Sequence, residues 1–250
     1  MRERIHSIDT LRAVAIFFVV VGHVQPFRGF GTYGNYVYFA LDTIGQFDVP
    51  FFFVTSGFFL AKTVTADNVA STVGGVARKL GSIYLFGRLV SVTAAIALAL
   101  FLGASVTNVV TRLSNFSLVE LLYYGNAMAA PLWFLTALFF AIVFVSCFVK
   151  FRKTRYLLPV AALVHLVGLV GTNYQMLVDV PFRTRDALFF GFFYVALGYQ
   201  ISSVDWRPDT DRSHLYLGAV CFLLGVQLVE QYAIGYIVRN NVLAQEIYLT

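Results

Sequence analysis

Two side chains able to do chemistry stand at the ends of one oily stretch: Arg12 and His23, in "RAVAIFFVVVGH". Everything between them is apolar or glycine. Eleven steps of an α-helix bring the two back to within about 20° of one face, about 16 Å apart along the axis. Ionisable groups inside an apolar span are costly and default to function. Imidazole is the side chain best matched to moving protons near neutral pH. Taken singly, Arg12 reads as a basic anchor paired with Asp9, and His23 as an interfacial histidine bonded to a neighbouring helix. On one face they read as a cation and a base along a common stripe.

Other candidates are weaker alone. Ser56 and Gly57 in "VPFFFVTSGFFLAK" suit close helix packing, and Pro50 loosens the backbone there. Asp48 reads as interfacial. Arg78 and Lys79 serve as topology anchors or hold a phosphorylated ligand. Trp133 in "PLWFL" fits an aromatic belt. His165 reads as packing and His214 as an interface residue. Arg183 and Arg185 suggest an anionic acceptor near their surface. "NFS" at 115–117 matches a glycosylation sequon. Cys147 and Cys221 both fall in apolar runs and read as small buried hydrophobes, so neither a disulfide nor a metal site is implied.

The elements that must position these residues are membrane helices. The 250 residues are 59% hydrophobic and 12% charged, about half the charge of a soluble domain. Mean hydropathy is +0.76. The fold class is therefore all-α, a polytopic transmembrane bundle. Apolar runs at 11–27, 46–61, 83–103, 132–149, 157–172, 187–202 and 214–237 give about seven spans. No small-residue cleavage site follows His23, so the first span is retained. Residues 63–82 read as a polar inner loop. Residues 104–131 read as an outer segment, whose "SLVELLYYG" has an interfacial look.

The net charge of +5 lies in short segments between spans, which argues against a nucleic-acid partner. With the N-terminus cytoplasmic, twelve of the eighteen Lys and Arg residues fall inside, five outside, and Arg88 within the third span. That bias predicts an N-inside protein of the plasma membrane.

In sequence, "SIDTLRAVAIFFVVVGH" resembles the first helix of the acyltransferase-3 family, whose members O-acylate surface polysaccharides and related acceptors. The family's arginine and histidine, with ten residues between them, match Arg12 and His23. "VPFFFVTSGFFLAK", "PLWFLTALFF" and "FFGFFYVALGY" resemble later family helices in the same order. The resemblance covers nearly the whole chain as one transmembrane domain, 1–250. It implies an acyl-CoA donor, acetyl-CoA foremost, used without a permanently bound cofactor. It also implies a cell-surface carbohydrate acceptor, His23 as general base or acyl relay, and Arg12 assisting the donor. Arg12, Arg78 and Lys79 are the cations for the anionic donor. Trp133 and Ser56 stand where the acceptor is expected. Gly81 and Ser82 occupy the places where the family carries a second arginine, and Arg88 lies further on. The family has more helices than the seven read here, so the chain is expected to lack the last ones. The competing readings are a transporter of a small solute or polysaccharide precursor, and a membrane scaffold whose arginine and histidine only fix packing.

Overall fold

A computed structural model describes residues 6–103, 105–107, 109, 111, 116–125, 132–173, 186–206 and 208–234. Among them are eight α-helices and no strand: α1 (His6–Val24), α2 (Gly31–Gly45), α3 (Asp48–Ala61), α4 (Val69–Phe101), α5 (Trp133–Lys150), α6 (Leu157–Asn173), α7 (Phe192–Ser203) and α8 (Ser213–Ala233). Between them lie π-helical turns at Glu120–Tyr124 and Ala187–Gly191 and 3-10 turns at Thr154–Tyr156 and Thr210–Arg212. Six stretches are long and apolar enough to cross a membrane, and Ala187–Ser203 is a shorter apolar helix, which matches the expected seven. Large hydrophobics such as Phe17, Phe86, Leu163 and Phe222 are exposed on these helices, as a hydrocarbon solvent requires.

Residues 31–45, which fall between the first two apolar runs, form α2. One expectation is corrected: the segment 63–82 is a loop only to Asn68, and α4 begins at Val69. Asn68 organises that start: its Oδ1 accepts from the Thr65 N–H at 2.7 Å, and its Nδ2 donates to the Thr63 carbonyl at 2.9 Å. A second correction concerns Cys147 and Cys221, which are exposed rather than buried. Asn115 of the sequon, Arg183 and Arg185 lie outside the described residues.

The chain forms two compact units, one from residues 1–52 with 206–250 and the other from 53–205. In the first, α1 packs on α2 and α2 on α8. Gly45 admits the Phe18 ring, where a Cβ would sit 3.0 Å from Phe18 Cδ1. The Phe18 ring also meets Phe47 edge-on at 5.6 Å. Gln227 of α8 donates to the Thr43 carbonyl at 3.3 Å and to Gln46 Oε1 at 3.1 Å.

In the second unit α5 is the hub, burying Ala137, Ala141, Val145 and Ser146 against its neighbours. Phe53 is fully buried, with its ring 4.9 Å from Phe134 and 5.9 Å from Phe190. The later part of α3 crosses α7 with the two backbones in contact. A Cβ on Gly57 would overlap the Val195 carbonyl and lie 2.8 Å from its carbon. A Cβ on Gly198 would overlap the Val54 carbonyl in the same way, 2.7 Å from its carbon. This is the small-residue packing expected at Ser56–Gly57, and it is reciprocal.

Candidate active site

His23 occupies the last turn of α1. Its Nδ1 lies 2.7 Å from the Val19 carbonyl. A carbonyl only accepts, so Nδ1 carries the proton and donates it. In the neutral ring Nε2 is then left with a lone pair, the form a general base needs. His23 is exposed at the end of its helix. The chain turns sharply just beyond it: Gln25 and Phe27 hold left-handed φ angles of +51° and +70°. Such backbone is uncommon for residues with a side chain and concentrates at working sites.

Arg12 is on the same helix, so the spacing read from the sequence is realised in one unbroken element. It pairs with Asp9 at 3.4 Å, with both side chains two-fifths or more exposed. An exposed i,i+3 pair contributes little, about 0.5 kcal/mol, so an incoming anion can compete with it for the guanidinium.

The remaining candidates belong to the second unit. Arg78 and Lys79 are exposed on α4 rather than in a loop. Arg78 Nε donates to the Gly74 carbonyl at 3.4 Å, and among the described residues neither cation makes an ion pair. Two contacts locate them along the bundle. Lys150 at the end of α5 donates to the Ala66 carbonyl at 3.3 Å. Gly87 abuts Leu132 at its other end, where a Cβ would lie 2.8 Å from Leu132 Cδ2. The first half of α4 therefore runs antiparallel along α5, and the basic pair stands about 13 Å up from the Lys150 end.

Ser56 is half-buried beside the Gly57–Val195 contact. Trp133 opens α5, with its ring 6.4 Å from Phe190 and its carbonyl accepting from Thr136 Oγ1 at 2.9 Å. Gly125, in left-handed backbone at φ +68°, lets the segment before α5 close onto Trp133 and Thr136. Arg12 and His23 share the first unit; Arg78, Lys79, Ser56 and Trp133 share the second.

One polar cluster was not singled out in the sequence. The Tyr123 hydroxyl donates to Asp186 Oδ2 at 2.9 Å, while Asp186 Oδ1 accepts from the N–H groups of Leu188 and Phe189 at 3.0 and 2.9 Å. Asp186 is 5% exposed. Burial pushes its carboxyl above the usual carboxylate range, opposed by those three donors. Burial and the Asp186 charge likewise raise the Tyr123 phenol. Nearby, His165 Nδ1 donates to the Phe189 carbonyl at 2.7 Å, and its ring stacks on Phe193 at 4.6 Å, as a packing role implies. The sequence signal for Asp186 was an acidic residue immediately before an apolar helix.

Among known proteins, a family model described as an acyltransferase domain, that of the acyltransferase-3 family, matches residues 5–242. An amino-acid racemase of Enterococcus faecalis is 24% identical over 249 residues, which take in 92% of this chain and 32% of that protein. The chain thus spans about a third of the length of this curated relative. No solved structure matches it.

Proposed function

The chain belongs to the acyltransferase-3 family, and from that premise we propose that it is a membrane-bound O-acyltransferase. It takes an acyl group, acetyl foremost, from acyl-CoA at the cytoplasmic face and delivers it to a hydroxyl of a cell-surface carbohydrate. The observation that carries this reading is the His23 ring, whose Nδ1–H is spent on the Val19 carbonyl. Its Nε2 takes the proton of the acceptor hydroxyl. The freed oxygen attacks the thioester carbonyl carbon, the C–S bond breaks, and the departing thiolate takes up a proton as the ester forms.

The other residues serve binding. Arg78 and Lys79 attract the phosphates of the donor, for which two cations on one helix, without an ion pair among the described residues, are suited. Arg12 orients the donor, at the cytoplasmic end of α1. Trp133 offers a ring face to the sugar, and Ser56 a hydroxyl. The racemase activity named for the relative is not carried over, because the matched part is about a third of that protein.

The test uses membranes holding the full chain, the acceptor glycan and radiolabelled acetyl-CoA. Label enters the glycan with the wild type and not with His23→Ala. Equal labelling by the two would overturn the role of His23, and no labelling by either would overturn the acetyl-CoA reading.

A further inference from the structure

Arg88 lies nineteen residues into α4, and none of the roles above uses it. Its Nη1 is sealed from solvent and has no hydrogen-bond partner. Its guanidinium carbon is 6.0 Å from the centre of the Tyr84 ring, one turn earlier on the same face. The Tyr84 hydroxyl in turn donates to the Leu121 carbonyl. Gly87, beside Arg88, abuts Leu132. Arg88 therefore stands where α4, the 117–125 segment and the start of α5 converge within one unit.

Among the described residues Arg88 makes no ion pair. Glu120, next to Leu121, accepts from the Ser117 N–H at 3.1 Å and from Ser117 Oγ at 3.3 Å. Asp186 is engaged by Tyr123. A guanidinium N–H without an acceptor in an apolar helix is costly, and the Tyr84 ring offsets part of that cost. The missing acceptor is supplied when an anion docks. A guanidinium fork matches two oxygens of a phosphate better than a single carbonyl. The site is level with Leu132 and Trp133, at the end of α5 where an aromatic side chain marks the edge of the hydrocarbon and headgroup phosphates lie.

We propose that Arg88, backed by the Tyr84 ring, binds a phosphate-type oxyanion at the junction of α4, the 117–125 segment and α5. The phosphate comes either from the headgroup of a lipid or from a water-borne phosphate compound. The binding is independent of whether the chain transfers acyl groups.

The full chain in neutral detergent is titrated with inorganic phosphate at constant ionic strength, and separately with phosphatidic acid against diacylglycerol of the same tails. The thermal midpoint is the readout. The wild type gains stability from phosphatidic acid, from phosphate, or from both. Arg88→Gln weakens the apparent affinity at least about tenfold, Arg88→Lys weakens it less, and Tyr84→Phe, which keeps the ring, leaves it in place. A response to phosphatidic acid alone assigns the site to a lipid headgroup. A response to inorganic phosphate assigns it to a water-borne phosphate. An Arg88→Gln protein that responds like the wild type overturns the proposal, as does a wild type that responds to neither probe. If Arg88→Gln does not fold, an unchanged affinity in Arg88→Lys overturns it and a reduced one supports it.

Discussion

Gly57 and Gly198 face one another across the crossing of α3 and α7, each lying where the other helix places a carbonyl: Val195 against Gly57, Val54 against Gly198. Neither helix can approach this closely with a methyl group in the way. Gly57→Ala and Gly198→Ala should each destabilise the protein by about 1–3 kcal/mol through overpacking. Gly74 and Gly218 lie in helices, and a Cβ at either would meet nothing within 4 Å. Alanine at either should be neutral or stabilise by up to about 1 kcal/mol. Thermal melts of the four variants in detergent check the reversal of sign. A loss at Gly218 equal to that at Gly57 would count against the crossing.

Removing the His23 imidazole should cost about 10²–10⁴-fold in acyl transfer while leaving the helix intact. The His23→Ala and His23→Gln proteins should melt close to the wild type, because the ring is exposed and, among the described residues, bonds within its own helix. A variant that transfers normally, or one that loses activity only by unfolding, would remove His23 from the reaction.

Arg78→Gln combined with Lys79→Gln should raise KM for acyl-CoA about 10–100-fold with kcat nearly unchanged, the pattern of lost ground-state binding. High salt should mimic part of the effect in the wild type and add little in the double variant. Steady-state kinetics at two salt concentrations measure both. An unchanged KM would leave the pair as topology anchors.

Asp186 should give the stability a pH dependence. Its folded-state carboxyl titrates above the unfolded value because of burial. The stability it contributes is therefore fully present below the unfolded value, about pH 4, and is lost as pH rises through the folded value. Asp186→Asn should flatten this slope. Tyr123→Phe should steepen the loss, since it removes a donor that favours the ionised form. Melts across acid to neutral pH decide the matter: a slope identical in Asp186→Asn would assign it to another group.

The apolar spans were legible because hydrocarbon demands some 20 apolar residues in a row, and a run such as 132–149 says so without help from its neighbours. Helix α2 was not, since "GTYGNYVYFALDTIG" mixes three glycines, Asn and Asp with its hydrophobes. It is a helix through its packing on α1 and α8, a tertiary effect that overrides local preference. The same holds for the start of α4, where Gly74, Gly75 and Gly81 suggest a loop and contact with α5 makes a helix. Ser56–Gly57 announced a close contact, but nothing local could name Gly198 as its counterpart. Tyr123 and Asp186 are 63 residues apart, and only the fold brings them together.

That residues 1–52 and 206–250 share one unit has a consequence for biosynthesis. Helix α1, with Arg12 and His23, emerges from the ribosome before α8, and α2 beside it acquires its contacts to Gln227 and Tyr232 only when α8 has been made. At about 5–20 residues per second, roughly ten to forty seconds of translation separate Gln46 from α8. During that interval the second unit can assemble around α5 while the unit bearing His23 waits half-built. The unit that holds His23 is thus opened early in translation and lacks these contacts until α8 has joined it.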